Sequence, residues 1–258
     1  IWRKETKMAL NQLKHLMGEM KFYGMAEHLD QFLTEAQTQS WSHTELLDAT
    51  LQAEYDYREN KKINTRLKTS KLKLQPAFED FDFTAGRSFT KAQIKELYHL
   101  KWIGRPVVLI GPTGIGKTFI AQAIGTQGCR NKHTVLYMKV STFLEELMLA
   151  RSSGTYLKFR RKITTPTLFV CDDFGLRKFT SQEAEAFCEL LEDRSYGDKS
   201  TVITTQLPLE NWHEVIEDAV IADAIIDRLK HGSLIYKIKG PSYREILAKK
   251  LDQNKKGD

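Results

Sequence analysis

The apolar positions change period once along the chain, and that change divides it. Leu10, Leu13, Leu16, Met17 and Met20 recur at three- and four-residue steps, which lines one face of a helix. Gly24 interrupts the pattern, and Leu29, Phe32 and Leu33 resume it. Ser42-His43-Thr44-Glu45 has the form of a capping box, with Ser42 as N-cap and Glu45 reaching back. It predicts a long helix from about Thr44 to Leu74, stopped by Pro76, which cannot donate into a helix. Phe78 to Arg87 is aromatic, acidic and without helical period, so it reads as a linker lying on a neighbour. Thr90-Lys91-Ala92-Gln93 opens another capped helix, carrying Ile94, Leu97 and Leu100.

From Arg105 onward, short β-rich runs alternate with helical ones. Predicted strands are Val107–Ile110, Val135–Val140, Thr167–Cys171, Thr201–Thr205 and Leu234–Ile238. Predicted helices are Thr118–Cys129, Thr142–Arg151, Gln182–Tyr196 and Ile221–Leu229. Continuous apolar runs are what strands buried on both faces look like, and the alternation predicts a parallel α/β sheet. The expected organisation is a helical N-terminal domain over 1–75, a linker over 76–90 and an α/β domain over 91–258.

Composition excludes several classes. With 41% hydrophobic residues in 258, too much apolar surface wants burial for disorder throughout. The longest apolar stretches, such as Val107-Val108-Leu109-Ile110, fall far short of the roughly 20 residues a spanning helix needs, so no membrane partner is expected. No charged-then-apolar leader opens the chain, and Cys129, Cys171 and Cys188 lack C-x-x-C spacing. A disulfide frame or zinc knuckle is therefore not expected, and a cytoplasmic location is.

Gly111-Pro112-Thr113-Gly114-Ile115-Gly116-Lys117-Thr118 fits G-x-x-x-x-G-K-[ST] in full, between an apolar strand and a helix. The glycines let the backbone turn so that successive N–H groups face one anion, and the following helix adds its positive end. Lys117 would reach the β and γ phosphates of ATP, and the Thr118 hydroxyl would sit on Mg²⁺. Leu168-Phe169-Val170-Cys171-Asp172-Asp173 is a buried strand ending in two acids, and in open parallel sheets ligands gather at strand carboxyl ends. Asp172 would hold the Mg²⁺ shell, and Asp173 would orient or deprotonate the attacking water. Thr204-Thr205-Gln206 borders the same crevice or is an ordinary polar strand end. Arg228 is a solvated side chain, a partner of Asp227, or a finger for a neighbouring subunit's γ-phosphate.

With these residues the chain resembles the IstB family, the ATP-binding helper proteins of insertion sequences. These are AAA+ ATPases near the DnaC helicase loaders. The likeness runs from about Leu10 to Arg244. It includes Tyr23-Gly24-Met25-Ala26, Phe81 through Arg87 (FDFTAGR), the phosphate loop, Asp172 through Leu176 (DDFGL) and Asp193-Arg194-Ser195-Tyr196. The most specific stretch is Thr204 through His213 (TTQLPLENWH), followed by Ala222 through Leu229 (ADAIIDRL) and Lys239 through Arg244 (KGPSYR). The resemblance implies a P-loop AAA+ fold: a five-stranded parallel sheet flanked by helices, preceded by a small all-helical domain. It implies that Lys117 and Thr118 are Walker A and that Asp172 and Asp173 are Walker B. Gln206 falls where sensor 1 stands, with Thr205 its alternative. Arg228 falls where the arginine finger stands, and Arg244 is a candidate second sensor. It further implies a homo-oligomer that assembles on double-stranded DNA with ATP, deforms it and stimulates a partner transposase.

Two departures from the wider AAA+ pattern stand out. Asp173 replaces the more usual Glu, which draws the carboxylate back by one methylene and predicts slow hydrolysis. Only about 30 residues follow Arg228 here, so no full lid domain is expected. Competing readings are a DnaC-like helicase loader, a small-molecule P-loop kinase and a passive DNA-bending protein.

Charge refines where DNA would lie. The formal net charge is +6, yet residues 1–90 sum to zero. Within them, Arg58 to Leu74 carries seven bases against Glu59: Arg58, Lys61, Lys62, Arg66, Lys68, Lys71 and Lys73. A second cluster, Lys158, Arg160, Arg161 and Lys162, is interleaved with Tyr156 and Phe159. Each is either a solvated helix face or a phosphate-tracking patch. No base-reading motif is present, so binding should be largely sequence-independent.

Overall fold

The structure, a computed structural model, describes residues 2–254, with side chains described over 8–248. By contact, the chain forms two compact units, Ile1–Thr65 and Arg66–Asp258.

The first unit is helical throughout: α1 (Trp2–Glu19), α2 (Tyr23–Gln39) and most of α3 (His43–Thr69). Gly24 is needed where α2 meets α3, because a Cβ there would lie 2.5 Å from the Ala53 carbonyl and 2.6 Å from Tyr57 Cβ. The close approach lets the Gly24 and Met25 amides donate to Glu54 Oε2 at 2.7 and 3.2 Å. Arg58 Nε donates to the other oxygen at 2.7 Å. The Ser42 capping box forms as expected: the Ser42 amide donates to Glu45, and the Glu45 amide donates to Ser42 Oγ.

The second unit is a five-stranded, all-parallel sheet in the order β2-β3-β4-β1-β5. Its strands are β1 (Val107–Ile110), β2 (Val135–Lys139), β3 (Leu168–Phe174), β4 (Ser200–Thr205) and β5 (Leu234–Lys237). The helices are α4 (Lys91–Tyr98), α5 (Lys117–Arg130), α6 (Val140–Ser152), α7 (Tyr156–Thr164), α8 (Ser181–Ser195), α9 (Ala219–Lys230) and α10 (Tyr243–Asn254). Strand side chains alternate between two cores, as a pleated strand requires. Val108 and Ile110 face a cluster with Phe143, Phe174, Phe187 and Trp212. Val107 and Leu109 face another with Phe78, Phe81, Ile120 and Ile124. Phe78 and Phe81 thus fasten the expected linker, which makes two short 3₁₀ turns, to the sheet's second face.

Four elements differ from the sequence expectation, one of them α10, a helix not expected after the last strand. The helix expected to reach Leu74 ends at Thr69. Ser70 is fully buried there, its carbonyl accepts from the Tyr137 amide of β2, and Lys71 turns left-handed at φ 61°. Strand β3 runs three residues past Cys171, with an irregularity between Cys171 and Phe174 that puts Asp173 at φ 64°. The second basic cluster is itself a helix, α7, anchored by buried Phe159 and Ile163.

Burial raises the Glu54 pKa, but the Arg58 hydrogen bond and the Gly24 and Met25 amides outweigh it and hold the carboxyl below its ordinary value. A folded pKa below the unfolded one means that the stabilisation is complete above about pH 4.3 and is lost as pH falls through the folded value. The first unit should therefore melt earlier in acid, and Glu54→Gln should blunt that sensitivity. Glu54→Ala strands two amide donors and should cost about 1–3 kcal/mol, read by urea denaturation through Trp41 fluorescence.

Candidate functional site

The G-x-x-x-x-G-K-T segment turns between β1 and α5, as its spacing predicts. Gly114 at φ 80° and Gly116 at φ 104° take backbone conformations that side chains rarely adopt. A Cβ on Gly114 would collide with Ser242, and one on Gly116 would lie 2.6 Å from Arg87 Nη1. The loop is thus enclosed from both sides, by the linker and by the start of α10, whose Tyr243 amide donates to the Gly114 carbonyl at 2.9 Å.

Lys117 is buried, and its ammonium folds onto the loop, donating to the carbonyls of Gly111 at 2.7 Å and Pro112 at 2.9 Å. Burial lowers its pKa, with Asp173 and Asp172 opposing that effect and Arg244 adding to it. The structure therefore brings Arg244 within electrostatic reach of the loop. Among the described residues this buried ammonium is hydrogen-bonded to carbonyls, an arrangement that suits an arriving phosphate oxygen.

Asp172 is fully buried and collects three hydroxyls. Oδ1 accepts from Thr204 at 2.5 Å and Thr118 at 3.1 Å, and Oδ2 accepts from Tyr137 at 2.6 Å. Burial and this bond push the Tyr137 hydroxyl pKa far up, so it stays a donor. Asp173 faces the other way, 2.5 Å from Lys139 Nζ at the end of β2. The bond to Asp173 raises the Lys139 pKa and keeps that side chain charged. Among the described residues, no group of three or more His, Cys, Asp or Glu could hold a metal ion. A Mg²⁺ ion here would therefore rest on Asp172, Thr118 and phosphate oxygens, the few-protein-ligand arrangement this ion favours.

Sequence reasoning placed Thr204 only among three polar residues at a strand end, and gave Arg87 no role of its own. Thr204 donates to Asp172 and accepts from the Asp173 amide at 2.9 Å, so one hydroxyl holds both acids. Gln206 lies just past β4, exposed, with no bond to either acid, and Thr205 Oγ1 accepts from the Leu207 amide. Only strand alternation could have favoured Thr204 over its neighbours. Arg87 lies between the Phe81 ring, 3.9 Å from its centroid, and the Tyr243 ring at 4.5 Å. It donates to the Ile115 carbonyl at 3.2 Å and the Asp82 carbonyl at 2.7 Å. Its Nε is buried without a partner among the described residues, which again suits a ligand acceptor.

Arg228 is elsewhere. It pairs with Glu192 at 3.0 Å and not with Asp227, which reaches His231 at 3.1 Å. It borders residues at the amino ends of the strands, such as Pro106 and Thr201, whereas the phosphate loop follows the carboxyl end of β1.

Many of the basic candidates are engaged within the chain. Arg58 holds Glu54, Lys62 holds Glu59, and Lys61 lies over the Tyr23 ring. Arg66 donates to the Cys129 carbonyl, Arg160 grips Asp193 with two bonds, and Lys162 pairs with Glu146. Lys68, Lys158 and Arg161 are exposed, and no ion pair is seen for them among the described residues. Also among those residues, no helix is long and apolar enough to cross a membrane.

The family model for IstB-like ATP binding proteins matches residues 15–251. The insertion sequence ATP-binding protein y4pL of Sinorhizobium fredii is 35% identical over 230 residues, covering 88% of this chain and 94% of that one. Two solved structures share the fold. The replication initiator DnaA bound to AMPPCP and single-stranded DNA aligns with TM-score 0.58 and 18% identity, over 71% of this chain and 56% of that one. The DnaC helicase loader aligns with TM-score 0.51 and 16% identity, over 63% and 96%.

Replacing Arg87 with Lys removes the planar fork and the stack between two rings while keeping the charge. Nucleotide affinity should fall about tenfold, for a loss of about 1.4 kcal/mol. Fluorescent ATP-analogue titration checks this, and Arg87→Ala should be no better than Arg87→Lys.

Proposed function

The chain belongs to the family of IstB-like ATP binding proteins, and on that premise we propose that it is an ATP-driven regulator of transposition. In this reading it assembles with itself on double-stranded DNA, deforms the DNA and stimulates a partner transposase. Slow ATP hydrolysis is the switch. The observation that carries the reading is the meeting of the phosphate loop with Asp172 and Asp173 at one edge of the sheet.

The roles follow from the geometry. The loop amides, Lys117 and the amino end of α5 take the triphosphate. Thr118 and Asp172 hold Mg²⁺, which when bound neutralises charge on the β and γ phosphates. Thr204 holds the Asp172 carboxylate and the Asp173 backbone amide. Asp173 orients the attacking water, but only after its carboxylate leaves Lys139, an ion pair that supports slow turnover. Gln206, just past β4, and Arg244, on α10, are assigned as the two nucleotide sensors. Arg228, at the opposite edge, serves a neighbouring subunit's γ-phosphate, so turnover requires a homo-oligomer. The likeness to DnaC concerns the fold alone, whereas the family match extends into the helical unit.

Lys158 and Arg161 are the best placed to contact DNA phosphates, because their charge is unspent and α7 holds them outward. Lys68 stands similarly on α3, while Arg58, Lys61, Lys62, Arg66, Arg160 and Lys162 would have to exchange partners first.

Asp173→Asn should retain ATP-dependent assembly on DNA and lose turnover; normal phosphate release by that variant would refute the assigned role. Replacing Lys158 and Arg161 together with Ala should lower the slope of log affinity against log salt by about 1.8, since each phosphate contact contributes about 0.9. An unchanged slope removes α7 from the DNA interface.

A further inference from the structure

Resting on the reading of Asp172 as the Mg²⁺ acid, we propose that Tyr137 is a positioning residue for the metal: its hydroxyl holds one carboxylate oxygen of Asp172 without cancelling the charge that the metal needs. No motif marks this residue, which precedes Asp172 by 35 positions in the chain.

The sheet register offers Asp172 a different partner. β2 and β3 run parallel, with Tyr137 opposite Val170 and Lys139 opposite Asp172. The direct neighbour of Asp172 on β2 is therefore a cation, yet its ammonium goes to Asp173 at 2.5 Å. Tyr137 stands two residues back, on the same face of the strand. It reaches Asp172 diagonally, and its hydroxyl donates to Oδ2 at 2.6 Å. A neutral donor thus takes the place that an ion pair could have filled. An ammonium on Asp172 would compete with a divalent cation for the same charge. A phenol hydroxyl supplies the hydrogen bond that burial demands and leaves the charge in place.

Tyr137 is itself firmly held. It is 3% exposed and belongs to the apolar cluster that contains Ile120, Ile124 and Val170. At this point β2 is paired on both edges: β3 lies on one side, and on the other the Tyr137 amide donates to the Ser70 carbonyl at 2.7 Å. The residues after Ser70 are fastened in turn to α5, the helix that follows the phosphate loop. Leu72 packs against Gly125, where a Cβ would lie 2.8 Å from it, and the Leu74 amide donates to Gln122 Oε1 at 2.7 Å. The phenol oxygen has little freedom, and so Oδ2 of Asp172 has little. Oδ1, which accepts from Thr204 and from Thr118 of the loop, is the oxygen on the side of the nucleotide. Mg²⁺ demands near-ideal octahedral geometry, so an acid already fixed in direction costs the ion less to engage than one that must first be ordered.

Nucleotide binding with and without metal tests the proposal in the full chain. A fluorescent ATP analogue is titrated in EDTA and across a series of Mg²⁺ concentrations. Tyr137→Phe should match the parent in EDTA, which also shows that it is folded. The Mg²⁺ concentration giving half of the metal-dependent tightening should rise about 10–100-fold. Tyr236→Phe is the control. It also removes a buried hydroxyl bonded to a carboxylate, Glu96 at 2.7 Å, but it lies on β5, which β4 and β1 separate from β3. Its Mg²⁺ midpoint should stay at the parent value. A parent-like midpoint in Tyr137→Phe, an equal shift in Tyr236→Phe, or analogue binding weakened as much in EDTA as in Mg²⁺ would overturn the proposal. In the last case the hydroxyl serves the folding of the site and not the metal. Asp172→Asn separates the two levels, since it should lose the metal-dependent tightening. If it does while Tyr137→Phe keeps the parent midpoint, only the role of Tyr137 falls. A parent-like Mg²⁺ response in Asp172→Asn removes the metal reading of Asp172 and this proposal together.

Discussion

A carboxylate at the centre of a parallel sheet must be fully hydrogen-bonded, and Asp172 imposes that requirement on everything around it. Its bonds come from Thr118 on α5, Thr204 on β4 and Tyr137 on β2. Each donor is a neutral hydroxyl, so the charge is solvated without being cancelled. Burial of this kind is tolerable only when the carboxylate is hydrogen-bonded. The three elements are therefore held in one register by a single charge. The Tyr137 amide also donates to the carbonyl of buried Ser70, just past the end of α3.

The neighbouring charges are balanced in a different manner. Lys117 is buried on carbonyls, Asp173 is held by Lys139, and Arg87 is stacked between rings with one nitrogen unserved among the described residues. Such a site has cationic capacity in reserve for phosphates, while Asp173 is occupied by Lys139. The sheet also separates the phosphate loop from Arg228. The phosphate loop follows the carboxyl end of β1, and Arg228 stands near the amino ends of the strands.

Legibility in the sequence differed by the range of the interactions involved. The strand cores Val107–Ile110 and Leu168–Cys171 were readable because burial on both faces demands continuous apolar residues. The Ser42 and Thr90 caps were readable because their bonds span only three residues. The end of α3 was not, because Pro76 marked where a helix must stop while contact with β2 stopped it earlier. The basic runs looked uniform in sequence, yet Arg160 is spent on Asp193, 33 residues away, while Arg161 beside it is not.

Local spacing alone determined the phosphate loop, the parallel α/β class and the placement of two acids at a strand end, since each depends on neighbours within a turn or a strand. Tertiary structure decided which hydroxyl serves those acids, which cations remain unspent, and that Arg87 closes over the loop. Those outcomes depend on groups brought together from distant segments, and a hydrogen bond or ion pair is set by distance in space, on which separation along the chain is silent.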